Sequence, residues 1–126
     1  LDYVGTMAVE YFVKGENVIF NEFAPRPHNS GHYSIEGCNV SQFENHIFAI
    51  SNKKVIEPKL VKPTSMINVL GQNMAFTEKC DIDEVYVHLY GKSEVKKDRK
   101  MGHITILGNS CSDIKNKIEY ITKESL

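Results

Sequence analysis

Twelve residues, Asn21-Glu22-Phe23-Ala24-Pro25-Arg26-Pro27-His28-Asn29-Ser30-Gly31-His32, gather an acid, a guanidinium, two imidazoles, two amides and a hydroxyl into one run. Pro25 and Pro27 each hold φ near about −65° and push the preceding residue toward extended geometry. Ala24 to Pro27 is therefore expected to leave a strand as a stiff, extended arm. Arg26 and His28 stand two apart, so in extended backbone they project to the same side. Gly31 lets the chain turn or come close to a ligand. A rigid arm bearing a fork of donors suits an anion such as a phosphate or a carboxylate. The plain alternative is a polar surface loop, and the density of preorganised donors argues against it.

The elements that must hold this arm lie directly before it. Thr6 to Val13 alternates and is rich in β-formers, Lys14 to Asn17 reads as a turn, and Val18 to Phe23 reads as a second strand. The expected product is a β-hairpin in which Glu10 lies opposite Glu22 or one place off it. Directly opposite residues bring their Cβ atoms to about 5 Å. Two carboxylates that close repel unless a proton or a cation separates them. A hard dication such as Mg²⁺ takes one or two carboxylates together with substrate phosphates and resolves the conflict. In the other register one glutamate points to solvent and no site forms.

Downstream, Ser41-Gln42-Phe43-Glu44 is a capping box opening a helix to about Ser51, with Phe43, Ile47 and Ile50 on one face. His46 on that helix has no second ligand spaced to it. Asn52 to Pro63 is polar, basic and proline-bearing and reads as a linker. Strands are expected at Met66–Leu70, Glu84–Tyr90 and Gly102–Leu107. The stretch between the last two is strongly basic, with Lys92, Lys96, Lys97, Arg99 and Lys100. Its plain reading is a solvated hairpin tip. Ser112 to Leu126 reads as an amphipathic helix capped by Ser112, with Ile114, Ile118 and Ile121 along one stripe.

Composition narrows the classes. The chain has 126 residues and a formal net charge of −1, so bulk electrostatics give no case for nucleic acid or an acidic membrane surface. No apolar run approaches the roughly 18 residues of a membrane span. Three widely spaced cysteines, Cys38, Cys80 and Cys111, fit a reducing cytosol better than a disulfide scaffold. The first residue is Leu1, in what already reads as structure, and is taken as the sign of a fragment. Ser30 beside His28 and His32 lacks a third, orienting group, so nucleophilic catalysis is not marked. A candidate metal pair followed at once by an anion clamp is what phosphoryl transfer needs.

Several stretches carry a family resemblance: Ala8-Val9-Glu10-Tyr11-Phe12, the run from Asn21 to His32, Ser41-Gln42-Phe43-Glu44, Tyr90-Gly91-Lys92 and Arg99-Lys100-Met101-Gly102-His103. Together they resemble the ATP-grasp 5-(carboxyamino)imidazole ribonucleotide synthase family of purine biosynthesis. The resemblance spans nearly the whole chain but only the last third of such an enzyme. It implies an α+β fold. Residues 1–54 would be the C-terminal portion of an ATP-grasp domain, and 55–126 a small β-rich domain closed by the last helix.

The resemblance also implies chemistry. Such an enzyme uses ATP and Mg²⁺ to activate bicarbonate as carboxyphosphate, then passes the carboxyl group to the amine of 5-aminoimidazole ribonucleotide. Glu10 and Glu22 match its magnesium-binding acids, and Asn21 with Glu22 its ATP contact. Arg26 and His28 match catalytic positions, and Asn29 and Ser30 the same substrate pocket. Lys92 and Arg99 match positions near the ribonucleotide phosphate. Lys96-Lys97-Asp98 stands where a Pro-Gly turn is expected, which leaves open which cation meets that phosphate. A cytoplasmic homodimer is implied for the whole enzyme, and little activity for this portion by itself. Two alternatives stay open: the ATP-grasp formyltransferase that uses formate and glycinamide ribonucleotide, for which Asp-Thr is expected after Pro-Arg-Pro-His, and a non-catalytic interaction module.

Overall fold

The computed structural model describes residues 2–123. They form two compact units, one ending at Lys59 and the other beginning at Leu60. The fold is α+β, as the motifs imply. No helix among the described residues is long and apolar enough to cross a membrane.

The first unit is built on an antiparallel hairpin of β1 (Ala8–Lys14) and β2 (Asn17–Ala24). The turn is tighter than the four residues expected, because Lys14 and Asn17 already pair and only Gly15 and Glu16 lie between them. Gly15 takes φ +62° at the first central position, where a side chain would be strained. The ribbon leaves Tyr11, Phe12, Val13, Val18 and Phe20 largely exposed. After β2 the chain does not run straight on. It bends at Pro25–Arg26, where the Arg26 N–H donates to Ala24 O at 2.9 Å. A 3₁₀ turn (Asn29–Gly31), the short helix α1 (Ser34–Gly37) and helix α2 (Gln42–Ile50) follow. The capping box forms as expected: the Ser41 hydroxyl accepts from Glu44 N–H, and the Glu44 carboxylate accepts from Ser41 N–H at 2.8 Å.

Residues 52–59 contain neither helix nor strand, yet they are tied down. The Asn45 side chain donates to Ile56 O at 2.8 Å and accepts from Ile56 N–H at 2.9 Å. Asn39 makes the same kind of contact with Lys59 N–H at 2.6 Å.

The second unit is a three-stranded antiparallel sheet in the order β3 (Thr64–Leu70), β5 (Lys100–Leu107), β4 (Val85–Leu89). Helix α3 (Cys111–Thr122) and a 3₁₀ segment (Gly71–Lys79) pack on it. Val69, Ile104, Ile106 and Ile121 are fully buried, with Ile114, Cys80 and the partly buried Ile118 beside them. This is the apolar stripe expected of the last helix. The cap is Ser110 rather than Ser112. Its hydroxyl accepts from Asp113 N–H while the Asp113 carboxylate accepts from Asn109 N–H at 2.9 Å, so the acid at the third helical position selects the earlier serine. The expected helix end, 124–126, lies outside the described residues. Glu84, at φ +62°, reaches Lys62 and Lys117, which ties the start of β4 to α3 and to the lead into β3.

Candidate active site

A tight turn at Gly15 and Glu16, continued in unbroken register, would set Glu10 opposite Asn21. The ladder instead shifts between Glu10 and Tyr11: Tyr11 pairs with Phe20, and Glu10 pairs with Glu22. Asn21 is the extra residue of a β-bulge, so two residues of β2 oppose one of β1. The result brings Glu10 and Glu22 face to face, and the Asn21 amide reaches Glu10 Oε2 at 3.5 Å.

His28 enters between the two acids. Its Nε2 lies 2.8 Å from Glu22 Oε1 and its Nδ1 lies 3.2 Å from Glu10 Oε1. The ring's position follows from the local sequence. After two prolines His28 stays extended, at φ −122° and ψ 153°, and starts the 3₁₀ turn, with Nδ1 2.9 Å from Ser30 Oγ. Its side chain is 11% exposed, against 33% for Glu10 and 51% for Glu22. Glu10, Glu22 and His28 each offer a ligand atom within 4.8 Å of the others. Two carboxylates are the hard oxygen donors Mg²⁺ takes, so the acids fit that ion; the imidazole beside them is a softer donor.

His28 and Ser30 also line a cavity of about 250 Å³, with Gly31, Tyr33, Cys38 and Val40. Burial pushes the Cys38 thiol up, so at neutral pH it stays protonated and is a poor nucleophile. Arg26 is exposed and its Nη1 donates to Pro27 O at 3.0 Å, while Asn29 is half-buried in the turn. In the second unit each candidate cation donates to a nearby carbonyl, Lys92 to Lys100 O at the start of β5 and Arg99 to Glu94 O in the loop. Lys92 also stands 5.6 Å from the centre of the Tyr90 ring, and the Tyr90 hydroxyl is 2.9 Å from His103 Nδ1. His103 in turn stacks on His88, ring centres 4.6 Å apart. At the level of sequence, Tyr90, His103 and Gln42 stand only within larger motifs and none of them is given a site role, whereas the Gln42 amide holds the His28 backbone.

Two known families match parts of the chain. Residues 1–43 match the ATP-grasp domain, and residues 64–117 match the phosphoribosylaminoimidazole carboxylase C-terminal domain. The particular resemblance read from the motifs is borne out: over nearly its whole length the chain is similar to N5-carboxyaminoimidazole ribonucleotide synthases. It is 46% identical to that of Saccharolobus solfataricus over 96% of this chain, and 50% identical to that of Staphylococcus epidermidis over 85%. Those matches cover 33% and 30% of the relatives, so the chain spans about a third of their length. Among solved structures, the synthetase of Thermus thermophilus superposes with a TM-score of 0.85 at 38% identity, covering 99% of this chain and 35% of that one. A synthase of Aspergillus clavatus, in complex with ADP and 5-aminoimidazole ribonucleotide, gives 0.84 at 33% identity, covering 93% and 34%.

Proposed function

We propose that this chain carries part of the active site of an ATP-dependent carbon–nitrogen ligase that carboxylates 5-aminoimidazole ribonucleotide with bicarbonate. The observation that carries the reading is the facing of Glu10 and Glu22 with His28 between them, at the start of the Pro-bounded arm. Within this reading Glu10 and Glu22 hold Mg²⁺, and Asn21 with Glu22 contacts ATP. The ion, when bound, neutralises charge on the transferring phosphoryl group. A bicarbonate oxygen attacks the γ-phosphate, ADP leaves, and carboxyphosphate forms. The amine then attacks the carbonyl carbon, phosphate leaves, and the amine gives up a proton.

The chain's own residues divide this work. Arg26 swings its guanidinium from Pro27 O to the carboxylate and phosphate oxygens, where bidentate donors suit a planar anion. His28 takes the amine proton at Nδ1. Nε2 faces a carboxylate, which can only accept, so it carries a proton. Nδ1 has a partner in either state: the Ser30 hydroxyl donates to it when bare, and Glu10 accepts from it when protonated. A base with both states satisfied needs little rearrangement on proton transfer. Asn29 and Ser30 orient the acceptor, and Lys92 and Arg99 take the ribonucleotide phosphate. The active protein works as a cytoplasmic homodimer.

The test has two readouts. For the chain itself it is isothermal titration with Mg-ATP and with 5-aminoimidazole ribonucleotide, each expected to give heat. For activity it is labelled bicarbonate incorporation dependent on ATP and the ribonucleotide. Silence toward both ligands returns the chain to an interaction module. Turnover with formate and glycinamide ribonucleotide instead makes it the formyltransferase.

A further inference from the structure

We infer that Gln42 is the positioning residue for His28. The claim rests on the ligase reading only for what His28 does; the positioning stands on geometry. His28 is extended at the start of the 3₁₀ turn, where its C=O accepts from Gly31 N–H at 2.9 Å, and its N–H points outward as a strand's would. The Gln42 carboxamide meets both groups: Oε1 accepts from His28 N–H at 2.9 Å, and Nε2 donates to His28 O at 2.7 Å. A backbone N–H can only donate, so the amide orientation is settled without choice. Nε2 therefore also donates its second hydrogen to His32 Nδ1, 2.7 Å away, which puts the His32 ring proton on Nε2. Both amide hydrogens and the oxygen are used.

The clamp is itself anchored from three sides. Gln42 N–H donates to Ser34 Oγ at 2.9 Å, and Ser34 Oγ donates to Gly31 O at 2.6 Å. Gln42 O accepts from Thr6 Oγ1 at 3.0 Å, in the lead into β1. The base of α2 is thus tied to both segments that frame the Glu10–His28 contact. Gly31 belongs to the same device. A Cβ there would lie 2.6 Å from Gln42 Oε1, so glycine is needed for space rather than for backbone freedom. His32 is held from its other face by the Phe43 ring, centres 5.3 Å apart.

The test compares Gln42→Met, Gln42→Glu and Gly31→Ala in the 126-residue chain by NMR of the His28 amide and ring nitrogens. Gln42→Met keeps the length and loses every polar partner. His28 amide exchange is expected to quicken about tenfold, roughly one ordinary hydrogen bond, and its ring signals to move while α2 amides stay put. Gln42→Glu keeps the acceptor for His28 N–H, so amide protection returns and the ring signals fall between. Gly31→Ala displaces the amide from the other side and reproduces the Gln42→Met signals, and the double variant is no worse than either alone. In the ligase assay of the full-length enzyme, Gln42→Met lowers kcat for carboxyl transfer about tenfold and leaves KM for ATP within about twofold. Unchanged His28 signals in Gln42→Met overturn the inference. If that variant does not fold, unchanged signals in both other variants do so, as do additive effects in the double. An inactive wild type bears on the ligase reading alone, because the His28 signals are read without turnover.

Discussion

Glu10 faces Glu22 because Asn21 is bulged out of the ladder between their strands. The bulge turns a ribbon that would pair an acid with an amide into one that pairs two acids and leaves the amide within reach. Bulges are placed where a side chain must be re-aimed, and here the re-aimed group is half of the proposed cation site.

Glu10→Gln or Glu22→Gln removes one charged oxygen from the proposed site of a cation that needs several. In the full-length enzyme, bicarbonate-dependent ATP turnover is expected to fall by at least about a hundredfold, with the fold retained. Phosphate release at limiting Mg²⁺ measures it, and near-wild-type rates in either variant refute the paired-acid site.

Arg26→Lys keeps the charge and loses the fork of donors. Mg-ATP binding should persist while carboxyl transfer drops about ten- to a hundredfold. Phosphate release measured beside labelled bicarbonate incorporation separates the two steps. If both stay near wild type, the arm is a structural joint.

If Lys92 and Arg99 take the ribonucleotide phosphate as proposed, Lys92→Ala and Arg99→Ala each remove a charge-assisted bond to it, about 1.5–3 kcal/mol. KM for the ribonucleotide should rise roughly ten- to a hundredfold, and KM for ATP should change little. Equal effects on both substrates return the basic loop to a solvated tip.

Ser41 sets an acid-side stability limit. Its backbone N–H, and then its hydroxyl, hold the Glu44 carboxyl below the ordinary 4.5. A depressed carboxyl contributes stability that is complete above its unfolded value and lost as pH falls through the folded one. The window therefore opens near pH 4.5 and extends below it. Ser41→Ala should cost about 1 kcal/mol at neutral pH through the lost cap and flatten the acid arm of a denaturation series. An acid arm as steep as wild type would show that the hydroxyl contributes nothing to it.

Much of this was legible in residue order, and the exceptions have physical causes. Alternation in β1 and β2, the Ser41–Glu44 box and the Ile114–Ile118–Ile121 stripe are local signals, and all three formed. The Asn21 bulge is not local. It depends on which residues of two strands pair, so the sequence could say only that Glu10 lies opposite Glu22 or one place off. The 3₁₀ segment Gly71–Lys79 has no apolar period to announce it. Ser110 and Ser112 compete as caps, and Asp113 decides between them through its bond to Asn109 N–H. Gln42 was hidden for a different reason: its partner is the backbone of His28, and backbone groups leave no trace in residue identity.

The tethering of residues 52–59 has a consequence for digestion. Lys53, Lys54 and Lys59 are exposed and offer trypsin three cleavable bonds in a stretch without helix or strand. Cleavage, however, requires backbone that can leave its partners, and the rate tracks how often it does so. Asn45 holds both polar groups of Ile56, and Asn39 holds Lys59 N–H. The backbone at Ile56 and Lys59 is thus expected to resist nicking as long as two asparagine side chains act as its missing strand.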